Sequence, residues 1–541
     1  MKLRFEVQAG LVVGLALIAQ WTVYDRSLVA MDEGHLAAAA SWILDGKLLY
    51  RDIHTGIFPG VYLIAAGLFA IFGEDLIVMR VAAVVVNVVT ATTLWLIARR
   101  MVDRPYAWLA PILHLALLVT GFPVLSMFNY STLAVCFGLV ALLFTLRYLE
   151  GGERSDGWLV GLFIAGAALT KQNFGGLIFL ALLASILWLR SRSALADRSV
   201  TRALLPIATT GAALSLSVAL YFAATGTLYT LVDDTILSLG SSQLEDFDNP
   251  LPPIFGAHPE GDGRFTFLYT PPTVFNALVQ GEPFLGLTLN PTRRALAIRL
   301  SYGIPIFTLF AALFALWRLG EAEDPARARA IRASVVFAWV FAPGIFPSAI
   351  WSHLAFVLIP ITLLYPLLAS RIDEWLGGRS AWRWLVAGLA LAAALISAVI
   401  SLDIARWNSV DLGLERASLR VSERAAGLLR GSVAFVDACA EPGAPIFAAP
   451  DIPAVYFLTD HPNPSKFDLT IPGRVDGPMI ARRLDTSGTG CVIYNPQMYP
   501  EFAPFKSLFP ILARHLERKF VTARIIEGGE TKWLGLERRV P

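Results

Sequence analysis

The chain has 541 residues, of which 56% are hydrophobic and only 16% are charged. Soluble domains carry about 25% charged residues, so this composition indicates a polytopic membrane protein and excludes an ordinary soluble enzyme. The formal net charge of +2 offers no large basic face for nucleic acid, and three cysteines are too few for a disulfide framework.

Eleven apolar runs are long enough to cross a bilayer, which takes about 20 residues with some tolerance. The first run could be a signal peptide, but Gln20 and Trp21 are poor residues at a cleavage site. We therefore expect an uncleaved first span with a cytoplasmic N-terminus. The predicted spans lie near 9–24, 76–98, 105–120, 130–147, 157–170, 174–189, 203–223, 301–317, 333–350, 354–369 and 384–402.

The apolar stretch 56–72 decides the topology, because a twelfth span there would invert every later loop. If it does not cross, the short inward segments carry 18 Lys and Arg residues and the outward ones carry 8. Basic residues favour the cytoplasmic side, so we predict that 56–72 is a helix in the outer interface. Its Pro59, flanked by Gly56 and Gly60, suits such an entry.

Three outward pieces follow from this topology: the first periplasmic loop (25–75), a long Pro- and Gly-rich periplasmic loop (224–300) and the tail (403–541). Charge rises abruptly near 403, which predicts a transmembrane domain over 1–402 and a small periplasmic α/β domain over 403–541. The tail carries Cys439 and Cys491. They could pair outside the cytoplasm, but unpaired thiols are the favoured interpretation.

The tail pattern predicts a helix over 411–430 and another near 505–519. Short runs rich in β-branched and aromatic residues predict strands between them and after them. The predicted strands are Ser432–Val436, Pro445–Ala448, Cys491–Tyr494 and Trp533–Glu537.

Two adjacent carboxylates, Asp32 and Glu33, stand just after the first span. Acidic residues outside a membrane are commonly bland interfacial groups. However, the following residues up to Gly46 predict an amphipathic helix lying flat on the membrane, which would hold the pair in place. A carboxylate at the boundary between water and lipid is also where a general base for a lipid-linked substrate must sit.

Other polar groups gather on the same outward face. Arg51 and His54 precede the interfacial helix and could hold a phosphate or could simply snorkel and hydrogen-bond. Lys171 and Gln172 occupy a short turn between apolar runs, where an ionisable group is costly and is usually paired or functional. A point cation such as Lys171 suits a phosphate.

Weaker candidates for the lining of a cavity are Asn129, Arg80 and His353. Asn129 is more simply a helix cap, and a single His353 is more often structural than a ligand. Asp233 and Asp234 open the long loop and could form either a second acidic site or a helix end. No zinc-ligand spacing, P-loop, dinucleotide fingerprint or serine-nucleophile elbow is present.

The order of these features resembles the polyprenyl-phosphate-dependent glycosyltransferases of the C superfamily. More narrowly, it is similar to the group of bacterial protein O-mannosyltransferases, aminoarabinose transferases and rhizobial galacturonosyltransferases. The resemblance is carried by the following segments: Asp32-Glu33, the helix ending at Gly46, Tyr50-Arg51-Asp52, the Pro59 helix ending at Phe72-Gly73, Arg80, Thr170–Asn173 and Pro453–Thr459.

The resemblance implies roles for individual residues. The first acidic residue of the pair is essential in that family as a base or as a group that positions the acceptor, which transfers to Asp32 with Glu33 beside it. Family cations that hold the lipid phosphate transfer best to Lys171. Many relatives have Lys-Pro-Pro where this chain has His54 and the residues up to Pro59, so His54 only partly replaces that lysine.

No cofactor follows from these residues. Some relatives use a divalent metal, and they carry a second carboxylate in the next outward loop. The corresponding stretch here, 121–131, contains no carboxylate and offers only Asn129. We therefore predict no metal ligands and regard metal dependence as disfavoured.

The function predicted from the sequence is sugar transfer at the outer face of a bacterial inner membrane. The partners would be a polyprenyl-phosphate-linked donor, the lipid bilayer and a glycolipid, polysaccharide or protein acceptor. The transfer would invert the configuration at the anomeric carbon. Two alternatives stay open. One is a transporter or flippase of a lipid-linked saccharide, and the other is a non-catalytic envelope assembly protein.

Overall fold

The computed structural model describes residues 4–238, 249–256, 258, 263–274, 290–318, 324–470, 475–496 and 504–539. The described residues up to Trp407 form a helical bundle, whose helices we number in chain order. They are α1 (Phe5–Trp21), α2 (Asp32–Leu44), α3 (Gly60–Phe72), α4 (Leu76–Met101), α5 (Arg104–Ala107), α6 (Leu109–Thr120), α7 (Tyr130–Gly151), α8 (Arg154–Thr170), α9 (Gln172–Leu189), α10 (Val200–Ala224), α11 (Leu228–Val232), α12 (Gly263–Tyr269), α13 (Pro291–Trp317), α14 (Pro325–Phe341), α15 (Trp351–Ile361), α16 (Leu364–Trp375) and α17 (Ser380–Trp407).

The helices confirm a multi-span membrane protein. Within the described ranges, seven helices are long and apolar enough to cross a membrane, and the pair α15 and α16, bent by 49°, makes eight if it forms one span. The remaining three of the eleven predicted spans fall on α1, on α8 and on the short apolar helix Pro105–Thr120. These three spans stay predictions.

The first outward loop contains two short helices. The predicted interfacial stretch is α3, whose 13 residues rise about 20 Å, less than the hydrocarbon thickness of about 30 Å. The helix after the acidic pair is α2, which ends at Leu44 before Gly46, whose φ is +84°. A glycine in the left-handed region commonly ends a helix.

The predicted amphipathic character of α2 is wrong, whereas its position relative to the membrane stays a prediction. Every side chain from Glu33 to Trp42 is buried, so α2 has no polar face toward water and no free face toward lipid. One side packs on α3 and the other packs against the tail. The pattern was misread because alanines fit either a lipid surface or a protein interior.

The tail is a small α/β unit, as predicted. It contains strands β1 (Val410–Asp411) and β2 (Arg420–Val421), helix α18 (Glu423–Cys439), β3 (Ile446–Ala449), α19 (Ala454–Thr459), α20 (Gly477–Thr486), β4 (Cys491–Tyr494), α21 (Phe505–Leu508), α22 (Pro510–Lys519), β5 (Phe520–Gly528) and β6 (Thr531–Arg538). The larger sheet has the order β3-β4-β6-β5, with β3 and β4 parallel and the other pairs antiparallel.

Two tail predictions are corrected. The stretch 411–430 is not one helix, because it starts with β1 and β2 and the helix begins only at Glu423, capped by Ser422. The predicted strand Ser432–Val436 lies inside that helix, α18. Its apolar residues also fit a 3.6-residue period, and short apolar runs are ambiguous between helix and strand. Strand β5 was missed.

Cys439 and Cys491 form a disulfide, with their Cα atoms 6.0 Å apart. This corrects the favoured prediction of unpaired thiols. The bond joins the end of α18 to the start of β4, and no local pattern indicates that the helix ends opposite that strand.

The tail and the first outward loop share one hydrophobic core. The backbone of Arg420 pairs with Asp25 and Ser27, and the carbonyl of Arg416 accepts the amide of Leu76 at 3.0 Å. The Arg416 guanidinium binds Glu74 and also Asp460. The tail therefore closes over α2 and α3. Of the predicted long loop, residues 239–248, 257, 259–262 and 275–289 lie outside the described ranges.

Candidate active site

Asp32 and Glu33 open helix α2, where the partial positive charge of a helix N-terminus favours acidic residues. Their environments differ. Glu33 is completely buried and accepts two hydrogen bonds from Arg80, Nε to Oε1 at 2.5 Å and Nη2 to Oε2 at 2.7 Å. The backbone amide of Val29 also donates to Glu33. Asp32 is only partly buried, so it is the member of the pair that a substrate can reach.

Arg80 is fully buried in α4. Its guanidinium also donates to the carbonyl of Ser27 at 2.8 Å. Together with the Glu33 contacts, this ties the start of α2 to α4. A buried pair of this geometry is costly to break from one side, and its effect here is to fix the position of Asp32.

Lys171 is the cation of the site. It lies in the break between α8 and α9 and is only 7% exposed. Its Nζ donates to Ser131 Oγ at 2.8 Å and lies 3.9 Å from the ring centre of Phe174 and 5.1 Å from that of Tyr130. Cation–π contacts of this kind stabilise a desolvated ammonium.

Asp32 and Lys171 interact electrostatically. Burial raises the pKa of Asp32 above its ordinary value, against the opposing charges of His35 and Lys171. Burial lowers the pKa of Lys171 to about 7, and Asp32 opposes that shift. A carboxylate with a raised pKa is a stronger base, and opposed, perturbed groups of this kind concentrate at functional sites.

The loop before α3 is fastened beside Lys171 by Gln172. The Gln172 amide donates to the carbonyls of Gly56 at 2.7 Å and Thr235 at 3.2 Å, and its oxygen accepts the amide of Phe58 at 3.3 Å. This side chain therefore joins the first loop to the start of the long loop.

His54 faces the long loop and the tail. Its Nδ1 lies 3.0 Å from Asp234 Oδ2, and Lys466 Nζ lies 3.5 Å from the same oxygen. Asp234 thus connects all three outward pieces. Of the two alternatives left open for Asp233 and Asp234, a helix end fits Asp233, which caps the C-terminus of α11, whereas the Asp234 carboxylate contacts His54 and Lys466 from other segments.

The other candidates are placed as follows. Asn129 caps α7, accepting the amides of Ser131 and Thr132 at 2.8 and 2.9 Å. Arg51 is exposed and binds Asp52. The Nδ1 atom of His353 lies 2.6 Å from the carbonyl of Ser348.

Sequence reasoning missed a second network at the same end of α2. His35 Nδ1 lies 2.7 Å from Asp468 Oδ2, and its Nε2 lies 3.0 Å from the hydroxyl of Tyr62, which lies 2.6 Å from Thr55 Oγ1. The spacing of His35, three residues after Asp32, places both on one side of α2. No signal in the sequence links Asp468 to either of them.

No metal centre follows from the described residues, since no three of their His, Cys, Asp or Glu side chains are grouped to hold an ion.

The helical bundle and the strand-containing tail define a multi-span membrane protein that carries a small α/β unit after its last long helix. The solved structure of ArnT from Cupriavidus metallidurans bound to undecaprenyl phosphate is similar, with a TM-score of 0.56 at 13% identity over 98% of each chain. The Archaeoglobus fulgidus oligosaccharyltransferase tethered to an acceptor peptide gives 0.52 at 12% identity, over 99% of this chain and 74% of its own.

The sequence also matches a family model. Residues 54–222 match the family described as dolichyl-phosphate-mannose-protein mannosyltransferase, and no curated protein matches the chain. The matched range contains Lys171 and Arg80 but begins after Asp32. The family match and the shared fold confirm the resemblance to the polyprenyl-phosphate-dependent glycosyltransferases of the C superfamily.

Proposed function

We propose that the protein transfers a sugar from a polyprenyl-phosphate donor to a hydroxyl group of a cell-envelope acceptor, with inversion. The proposal is carried by a reachable carboxylate, Asp32 at the start of α2, and a buried cation, Lys171 in the break between α8 and α9, whose charge favours the ionised form of Asp32. Such a pair offers a base for an acceptor hydroxyl and a charge for a leaving phosphate.

The reaction is a single displacement. Asp32 takes the proton of the acceptor hydroxyl while the oxygen of that hydroxyl attacks the anomeric carbon. The bond between that carbon and the phosphate oxygen breaks, and polyprenyl phosphate leaves with the electron pair. Lys171 stabilises the charge that develops on the phosphate, a contribution of several kcal/mol for a preorganised cation. One displacement inverts the anomeric centre.

The remaining candidates receive supporting roles. Glu33 and Arg80 hold the start of α2, and Gln172 and Asn129 shape the backbone beside Lys171. Phosphate binding by Arg51 or His54 stays a prediction, because each is hydrogen-bonded to a carboxylate, Asp52 and Asp234 respectively.

The proposed location is a bacterial inner membrane, with the N-terminus in the cytoplasm and the tail in the periplasm. The bond between Cys439 and Cys491 supports it, because disulfides persist in oxidising compartments and are rare in the cytosol. The excess of basic residues in the predicted inward segments supports the same orientation.

An Asp32→Asn variant tests the proposal. The protein is purified into lipid nanodiscs, and transfer is measured from a panel of polyprenyl-phosphate sugars to envelope extracts. We expect at least a hundredfold loss of transfer without a change in thermal unfolding, since a general base contributes about 10²–10⁴-fold. Asp45→Asn, at the exposed far end of α2, is the matched control and should keep its activity.

Either of two outcomes contradicts the mechanism. One is an Asp32→Asn variant that transfers sugar at the wild-type rate. The other is a wild type that transfers from no polyprenyl-phosphate donor but moves lipid-linked saccharide across vesicles, which supports the transporter alternative.

A further inference from the structure

The tail supplies a buried carboxylate to the proposed active site. Asp468 and His35 are 2% and 7% exposed, so the contact between Oδ2 and Nδ1 at 2.7 Å is shielded from water. Asp468 Oδ1 is also buried and finds no hydrogen-bond partner among the described residues. Within those residues, the hydrogen bonding of this carboxylate is directed at His35.

His35 in turn faces the proposed base. It lies three residues after Asp32 on α2. The charge of a protonated His35, like that of Lys171, favours the ionised form of Asp32. Burial lowers the pKa of His35, but the charge and hydrogen bond of Asp468 and the charge of Asp32 outweigh it, so the net shift is upward. The protonated imidazole is therefore favoured.

The hydrogen-bond chain beyond His35 accepts this protonated form. As an imidazolium, His35 donates from Nδ1 to Asp468 and from Nε2 to the Tyr62 oxygen. Tyr62 then donates to Thr55 Oγ1, which also accepts the amide of Ile57 at 3.2 Å.

Few other charged or titratable groups face these two side chains. Those that act on Asp32 are His35 on its own helix, Lys171 from the break before α9, and Glu33, which is neutralised by Arg80. Those that act on His35 are Asp468 from the tail and Asp32, with Tyr62 of α3 as its hydrogen-bond partner.

We propose that Asp468 is a positioning residue for sugar transfer, which holds His35 as an imidazolium beside Asp32 and so keeps the base ionised. The inference rests on the proposed function. It makes the tail a part of the active site and assigns it a role that acceptor binding alone would not require.

The pH profile of kcat/KM for Asp468→Asn tests this role. Without the carboxylate, burial lowers the pKa of His35 with less to oppose it, so the imidazole is neutral over more of the pH range in which Asp32 titrates, and Asp32 takes up a proton more readily. The acidic limb of the profile should move to higher pH by about one unit. At pH values below the shifted limb, kcat/KM should fall about tenfold relative to the wild type, and above the limb it should recover toward the wild-type value. Asp468→Glu should move the limb back.

The matched control is Asp460→Asn. Asp460 also joins the tail to the first loop, through Arg416, but it has no contact with His35. Its pH profile should overlay that of the wild type. A loss of rate by the same factor at every pH in Asp468→Asn would mean a purely structural contact and would overturn the inference.

A second measurement does not depend on activity. Because the folded-state pKa of His35 is raised, its pairing stabilises the fold fully below the unfolded value of about 6.5 and loses that effect as pH rises through the folded value. The Tm difference between wild type and Asp468→Asn should therefore be larger at pH 6 than at pH 8.5. An equal difference at both values would overturn the ion pair.

The two proposals fail separately. If the wild type transfers sugar and Asp468→Asn leaves the acidic limb unmoved, only the positioning role is wrong. If the wild type transfers no sugar from any polyprenyl-phosphate donor, the proposed function is wrong and the positioning role falls with it, whatever the unfolding data show for the ion pair.

Discussion

Asp32 and Glu33 are adjacent and chemically alike, yet the fold gives them opposite surroundings. The Glu33 carboxylate accepts hydrogen bonds from Arg80 and from the amide of Val29, and the side chain is fully buried. Asp32 is partly exposed to solvent, and the charges of His35 and Lys171 favour its ionised form. The same functional group, a carboxylate, therefore holds Arg80 at position 33 and is a candidate base at position 32.

Glu33→Gln should destabilise the protein by about 3–5 kcal/mol, because it leaves the buried charge of Arg80 without a counterion. The measurement is reversible unfolding in mixed micelles, with Asp32→Asn as the comparison that should change little. A double variant, Glu33→Leu with Arg80→Met, should recover part of the loss, since an apolar pair has no charge to desolvate. An unchanged unfolding free energy in Glu33→Gln would contradict this role.

Helix α2 is the element on which the site is built, and its packing depends on one glycine. A Cβ atom at Gly34 would lie 2.3 Å from the backbone nitrogen of Ala454. That nitrogen already donates to the carbonyl of Ala30 at 3.1 Å, so α19 is held against α2 by its backbone. The close approach brings the tail, and with it Asp468, to the end of α2 that carries the acidic pair.

Gly34→Ala should separate α19 from α2 and destabilise the protein by about 1–3 kcal/mol, as overpacked sites do. The control is Gly67→Ala in α3, where a Cβ atom meets nothing within 4 Å and the better helix propensity of alanine should be neutral or stabilising. Thermal unfolding and proteolysis of the tail measure both variants. Equal Tm values for the two would show that the approach of α19 is not tight.

At the scale of the whole molecule, the outward pieces form one unit. Arg416 connects the tail to Glu74 in the first loop, and Asp234 connects the long loop to His54 and to Lys466. Because loop 25–75 and the tail share a core, both must lie on the same side of the membrane. The topology of the first loop therefore fixes that of the tail.

A reporter fused after Arg100 should report a cytoplasmic position, and a reporter fused to the tail of the full chain should report a periplasmic one. The basis is the uneven distribution of Lys and Arg between the two sets of loops. An external signal after Arg100 would contradict the eleven-span topology. A cytoplasmic tail would contradict the proposed location of the disulfide.

The membrane class and most of the helices follow from the sequence, since they rest on local composition and periodicity. The alternation of apolar runs with basic loops is readable residue by residue. Lys171 was also identified this way, because a cation in a short turn between apolar runs is conspicuous in the sequence itself.

What only the tertiary structure decided is which side chains meet. The pairing of Glu33 with Arg80 spans 47 residues and that of His35 with Asp468 spans 433, and neither leaves a local pattern. The burial of α2 and the bond between Cys439 and Cys491 have the same origin. Long-range contacts depend on how complete elements pack, so the acidic pair is visible in the sequence, whereas the different surroundings of its two members are determined by the fold.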